Sequence, residues 1–166
     1  LTASAVPVHA FAMTASRPEI VCRLVSADEA PTLAALMRAY YDFDGHAYDP
    51  EAVARTLAEF LSHPDYGLAW FIEVDGVTAG YMAMCVGFSL EFGGRDAFVD
   101  EIYLHEPFRG EGIGRQALEV LIGEARRLGI VALHLEVDRE NAAAARLYRA
   151  LGFAPRERFM LMSREL

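Results

Sequence analysis

The 166-residue chain is poor in cysteine, in positive charge and in long apolar runs. Its two cysteines, Cys22 and Cys85, stand far apart with no CxxC spacing. That excludes a disulfide framework and a cysteine zinc module, and suits a reducing cytoplasm. His9, His46, His63, His105 and His134 show no metal-ligand spacing, so no metal is expected. Fifteen Lys+Arg oppose 24 Asp+Glu, a formal charge of −9. A binder of nucleic acid or of an anionic membrane surface needs the opposite balance, whereas a cationic substrate suits it. The longest apolar run, Val77 to Leu90, is broken by Gly80, Gly87 and Ser89. It falls short of the roughly 20 residues of a membrane-spanning helix. Internal repeats and low-complexity linkers are also absent.

What remains is the composition of a compact domain, 54% hydrophobic and 23% charged. Residues 1–18, rich in Ala, Ser, Thr and Pro and without a positively charged leader, read as a flexible arm, and residues 19–166 as one domain. Ile20–Val25 reads as a strand, and Ser26 with Glu29 as a capping box opening a helix with an apolar face of Leu33, Leu36, Met37 and Tyr40. Asp49-Pro50 starts a second helix that stops before Pro64. Two β-rich runs, 68–74 and 77–88, flank the hairpin signal Asp75-Gly76, and a third strand covers 97–104. Helix and strand then alternate: a helix over 112–128, a strand over 130–137, a helix over 141–151 and a last strand near Phe159–Ser163. The hairpins imply antiparallel pairing and the alternation parallel pairing, so the fold class is α+β, a mixed sheet covered by helices in three layers.

The richest chemical signal is Phe108-Arg-Gly-Glu-Gly-Ile-Gly-Arg115, between a strand and a helix. Gly110, Gly112 and Gly114 let an anion approach the amides of a first helical turn, and Arg109 and Arg115 add charged donors. This reads as a phosphate or pyrophosphate cradle. Gly112-Ile-Gly114-Arg-Gln-Ala117 also matches GxGxxA, with Glu136 about 20 residues on, as in a dinucleotide fold. There, however, the glycines follow the strand almost at once, and here seven residues separate Leu104 from Gly112. A Walker A loop fails because no Lys-Ser/Thr follows.

Strand 97–104, Arg109-Gly-Glu-Gly-Ile-Gly114, the segment Leu135-Glu-Val137, Asn141 and Leu147-Tyr-Arg-Ala-Leu-Gly-Phe153 together resemble the Gcn5-related N-acetyltransferase (GNAT) superfamily. Arg109, Gly112 and Gly114 meet its Q/R-x-x-G-x-G/A signature. One departure is the proline, Pro107, which comes one residue later than in the usual V-x-P-x-Y-R-G pattern. Asp100-Glu-Ile-Tyr-Leu104 is similar, over a short stretch, to the acidic strand of polyamine and diamine acetyltransferases. The resemblance implies a mostly antiparallel sheet with a central, splayed parallel pair. It implies acetyl-CoA as cosubstrate, with the pantetheine arm along Ile102, Tyr103 and Leu104 and the pyrophosphate on Arg109, Gly110, Glu111, Gly112, Ile113, Gly114 and Arg115. Asn141, Ala144 and Tyr148 would touch the coenzyme, and the Leu104 amide would meet the developing oxyanion.

Tyr148 is expected to protonate the leaving thiolate, although its helical spacing with Ala144 and Leu151 equally describes a core residue. Asn141 equally describes a helix cap. Asp100 and Glu101 compete as the base, with Asp100 favoured by its distance from Leu104. As strand neighbours they should point to opposite faces. Tyr41, Asp42 and Asp44, with Glu91 from 89–95 and Glu136, are the candidates for an amine-binding wall. The expected activity is acetyl transfer to a small cationic amine, and the resemblance, with the apolar run Phe159-Met-Leu-Met162, implies a homodimer. Peptide amine acetylation and a non-catalytic acyl-CoA-binding module are the rivals.

Overall fold

The computed structural model describes residues 18–164. The expected arm, apart from Pro18, lies outside the described residues. Strand β1 (Ile20–Leu24) is followed by a short 3-10 turn over Ala27–Glu29 and then helix α1 (Ala30–Asp44). The capping box forms, with Glu29 accepting from the amide (3.0 Å) and the hydroxyl (2.8 Å) of Ser26. Helix α2 (Pro50–Ser62) is capped by Asp49, whose Oδ1 accepts from the amides of Glu51 (2.9 Å) and Ala52 (3.1 Å). Then come β2 (Gly67–Val74), β3 (Val77–Ser89), β4 (Gly94–Leu104), α3 (Ile113–Arg127), β5 (Ala132–His134) and α4 (Ala142–Ala150). Among the described residues, no helix is long and apolar enough to cross a membrane.

The sheet has five strands in chain order, all antiparallel except for the parallel pair β4–β5. One face packs Trp70, Ile72, Met82, Met84, Ala97 and Val99 against Ile113, Ala117, Leu118 and Leu121 of α3. The other packs Ala69, Phe71, Tyr81 and Tyr103 against Leu33, Leu36 and Met37 of α1 and Val53 and Leu57 of α2. Leu118 and Leu121 are both 0% exposed, so each contributes roughly 1.5–3 kcal/mol of burial free energy.

Two irregularities of β4 position the site. The first is a bulge: Ala83 opposes Glu101 while Met84 opposes Val99, so Asp100 has no partner across the ladder. Ala97 and Val99 face α3, and strict alternation would send Glu101 and Tyr103 there too. The extra residue reverses the phase, and Tyr103 lies in the α1 layer instead. The second is a parting of strands. β5 pairs with β4 only from Asp96↔Ala132 to Phe98↔His134, so β4 beyond Phe98 has no β5 partner.

The C-terminal segment differs from expectation. Phe159–Ser163 forms no strand, and Phe159, Met160, Leu161 and Met162 are exposed. An apolar run becomes a strand only where a ladder is available to pair with, and β5 offers just three residues. Arg156 instead holds the tail sideways through Glu91 (2.6 Å) and the ring of Phe159. The strand expected over 130–137 contracts to Ala132–His134 for the same reason, since its second half has left β4.

Candidate active site

The parting of β4 from β5 leaves backbone groups available. The His105 amide donates to Ala79 O (2.9 Å), on the β3 side. Amides alternate along a strand, so the Leu104 and Ile102 amides point to the opposite edge, into the gap. The Leu104 carbonyl faces the same way and accepts from Arg109 Nε at 2.7 Å.

The glycine turn lies beside this strand end, where a Cβ on Gly114 would stand 3.7 Å from Leu104 Cδ1. Gly112 is the N-cap of α3 with φ +80°, a left-handed conformation that side chains resist, and it supplies no capping side chain. The helical ladder begins with the Gln116 amide donating to Gly112 O (3.2 Å), so the amides of Ile113, Gly114 and Arg115 precede it. A Cβ built on Gly110 or Gly112 meets nothing within 4 Å. An open glycine-lined cradle with a first turn of free amides fits a phosphate-bearing coenzyme.

Both arginines, the expected phosphate donors, also make contacts within the protein. Arg109 ties the turn to Leu104 and lies over the Phe43 ring at 4.0 Å and the Tyr103 ring at 5.4 Å, so its side chain turns toward α1. Arg115 pairs through Nε with Glu119, one helical turn along, at 3.0 Å. The exposed Glu111 belongs to the turn itself. The cradle is therefore formed by backbone, with both guanidinium groups anchored at its margins.

On the α1 face of β4 stands a different chemistry. Glu101 accepts a 2.6 Å hydrogen bond from the buried Tyr81 hydroxyl, and the Tyr41 hydroxyl lies close enough to favour its charged form. Tyr40, Tyr41, Tyr48, Tyr103 and His46 pack edge-on or tilted around it, with ring centroids 5.7–6.2 Å apart. Burial raises the Glu101 pKa, opposed by the two tyrosine hydroxyls. Asp100 is raised by burial as well, opposed by a hydrogen bond from the Cys85 thiol. Both carboxylates act on Tyr40 and Tyr41, whose hydroxyls burial pushes up to about 12. Asp100 and Glu101 thus share the α1 side, against the expectation of opposite faces, because a bulge places its two residues together where a regular strand alternates them.

Tyr148 reaches the region from the other layer. It packs against the α3-side core and edge-on to Phe153 at 6.0 Å, and burial raises its pKa, keeping it a neutral donor. Tyr40 and Tyr148, from opposite layers, lie within electrostatic range of each other. Asn141 caps α4, its Oδ1 accepting from the Ala144 amide at 3.0 Å, the simpler of its two expected roles. Of the amine-wall candidates, Tyr41 joins the Glu101 cluster. Asp44 stands beside it, paired with His46 at 2.7 Å.

The others are not brought in. Asp42 turns outward to Arg38 (3.0 Å). Glu91, in the β3–β4 connection at the opposite end of β4 from Leu104, pairs with Arg156. Glu136 is exposed just after β5 and lines, with Tyr148, Leu133 and Leu151, a cleft of about 1180 Å³ that includes neither Glu101 nor the glycine turn. Phe43 lies within the 40–44 aromatic and acidic segment expected beside the amine, whereas nothing in the sequence marks Tyr81. Tyr81 sits in an apolar strand, and only its register opposite Tyr103, beside the bulge, brings it to Glu101.

A mixed sheet that parts beside a glycine-capped helix is an arrangement that can seat an anionic, phosphate-bearing ligand. A sequence model described as the Acetyltransferase (GNAT) family matches residues 32–153, from α1 through the glycine turn to Phe153, and the chain belongs to that family. An L-methionine sulfoximine/L-methionine sulfone acetyltransferase of Salmonella typhimurium (strain LT2) is 37% identical over 81 residues, covering 49% of this chain and 47% of the relative. An uncharacterised N-acetyltransferase of Methanocaldococcus jannaschii is 31% identical over 121 residues, covering 72% of this chain and 54% of the relative. The chain spans about half the length of these curated relatives. Among solved structures, an integron cassette protein from the mobile metagenome of Cole Harbour Salt Marsh superposes with a TM-score of 0.78 at 30% identity, covering 87% of this chain and 90% of that one. An aminoglycoside N-acetyltransferase in complex with CoA shares the fold, with a TM-score of 0.73 at 16% identity and coverage of 90% and 97%.

Proposed function

We propose that the protein is an acetyl-CoA-dependent N-acetyltransferase acting on a small cationic amine by direct attack in a ternary complex. The observation that carries this reading is the free edge of β4 at Ile102–Leu104, between the open glycine turn and the Glu101 cluster. Acetyl-CoA, when bound, supplies a thioester-activated acetyl group. The amides of residues 110–115 would hold its pyrophosphate, the gap-facing edge of β4 its pantetheine arm, and the Leu104 amide would donate to the carbonyl oxygen. Glu101 takes a proton from the ammonium, with Asp100 beside it, and Tyr148 donates one to the departing thiolate. The aromatic rings around Glu101 suit a cation on one side and alkyl carbon on the other.

A specific observation favours a second reading, an amino-acid acceptor. Among the described residues Arg109 forms no ion pair, and its guanidinium stands over Phe43 and Tyr103 on the Glu101 side, where a substrate carboxylate would meet it. The Salmonella relative acting on methionine derivatives agrees with it. The proposal extends to a cytoplasmic protein and to a homodimer, the latter supported by the exposed run Phe159–Met162.

Thiol release from acetyl-CoA, measured against spermidine, methionine sulfone, kanamycin and an alanyl peptide, tests the reading. The chain contains no lysine, so self-acetylation of side chains adds no background. Release that depends on spermidine supports the main reading, and on methionine sulfone the second. Release with the peptide alone moves the acceptor class to protein, and tight CoA binding with no release on any amine makes the protein a binding module.

A further inference from the structure

We propose that Tyr81 and Tyr41 are positioning residues that hold the Glu101 carboxylate in one orientation toward the amine side of β4. The inference rests on the reading above in which Glu101 takes the ammonium proton. The Tyr81–Glu101 separation of 2.6 Å lies in the range of a charge-assisted O–H···O⁻ bond, shorter than a neutral pair. Tyr81 is 0% exposed, so its hydroxyl has no water to turn to, and its register opposite Tyr103 fixes it two residues along from Glu101 on the same face. Tyr41 comes from another layer, at the end of α1, and adds a second hydroxyl that favours the charged carboxylate.

The remaining groups facing Glu101 do not neutralise it. From β3 there is Cys85; from β4, Asp100 and Tyr103; from α1, Tyr40; from the loop after α1, His46, whose Nε2 is engaged by Asp44; and from the glycine turn Arg109, whose Nε is engaged by the Leu104 carbonyl. Among the described residues Glu101 makes no ion pair. A carboxylate held by hydroxyls keeps its charge for an incoming cation, whereas one held by an arginine would already be satisfied. Burial and Asp100 favour the protonated acid, and the two tyrosines and His46 favour the carboxylate. Removing a hydroxyl therefore raises the Glu101 pKa and frees its rotamer.

A tyrosine that merely fills the core would leave that titration alone, which gives the test. The Glu101 carboxyl is followed by ¹³C NMR in the full chain labelled at glutamate Cδ, with Glu101→Gln to assign the signal. In Tyr81→Phe the midpoint moves up by about one pH unit. Tyr41→Phe moves it the same way by less, and serves if Tyr81→Phe fails to fold. A midpoint unmoved in the folded variants overturns the proposal. With acetyl-CoA and spermidine or methionine sulfone, the acid limb of kcat/KM follows the NMR midpoint. A midpoint that moves while the acid limb stays put removes Glu101 from the proton route but leaves the positioning role standing.

Discussion

The two sides of β4 offer a ligand opposite kinds of surface. Toward the glycine turn the chain offers backbone: the first-turn amides of α3, an N-cap without a side chain, and the gap-facing amides of Ile102 and Leu104. Toward α1 it offers side chains: a half-buried carboxylate, the Tyr81 hydroxyl bonded to it and a surround of aromatic rings. A backbone cradle suits a ligand part that never varies, such as a pyrophosphate. A side-chain pocket suits the part that distinguishes one transferase from another. The two meet at Leu104, whose carbonyl is tied by Arg109, itself stacked on Phe43 of α1.

The sharpest break comes from charge in the cradle. Gly112→Asp should weaken acetyl-CoA binding by 100-fold or more, since it puts a carboxylate at the positive end of α3 where a pyrophosphate would sit (an estimate on the order of several kcal/mol). Gly112→Asn has the same shape without the charge. There is room for it, because nothing lies within 4 Å of the Cβ position. It should retain most of the affinity, because the strain of a left-handed side chain, roughly 1–2 kcal/mol, is carried by free and bound protein alike and lowers stability instead. Calorimetric titration separates the two.

On the other side, Glu101→Gln should lower kcat by about 100-fold or more, the usual scale of a lost general base, while acetyl-CoA binds as before. Steady-state kinetics beside a binding titration reads both. Tyr148→Phe should lower kcat by roughly ten- to a hundredfold without moving the KM for the amine, because the hydroxyl acts only on the leaving group. An equal loss of thermal stability and rate would return Tyr148 to the core.

The smallest effect is one of pH and stability. Burial raises the Glu101 pKa in the folded chain above its unfolded value. The folded state therefore binds the proton more tightly, and this group's contribution to stability falls as pH rises from the unfolded pKa through the folded one. At neutral pH, Glu101→Gln removes that cost. Its melting temperature should match or exceed that of the parent by about 2 °C, and the difference should vanish in acid. With Glu101 in its proposed role, activity should have the opposite slope, rising with pH as Glu101 ionises.

Legibility in the sequence followed the same division. The backbone side left a pattern of residues, because a cradle needs glycine at fixed positions, and Gly110, Gly112 and Gly114 stood out at once. Caps were legible for the same reason, as Asp49-Pro50, the Ser26–Glu29 box and Asn141 are local chemistry. The side-chain pocket depends on strand phase, and one unpaired residue at Asp100 reversed it. Nothing local announces that bulge. The opposite-face expectation for Asp100 and Glu101 therefore failed, and Tyr81 went unnoticed. Glu91 was drawn in by sequence proximity to aromatics, whereas the hairpin carries it to the far end of β4. Phe159–Ser163 had strand composition, but composition does not supply a ladder.

On the proposed reading, coenzyme and amine are held by separable machinery on the two sides of β4. Acetyl-CoA affinity of Gly112→Asp and Glu101→Gln, titrated side by side with the parent protein, tests it most directly. The account predicts that affinity is lost in Gly112→Asp and kept in Glu101→Gln. Retained affinity in Gly112→Asp, with the fold intact, would contradict it.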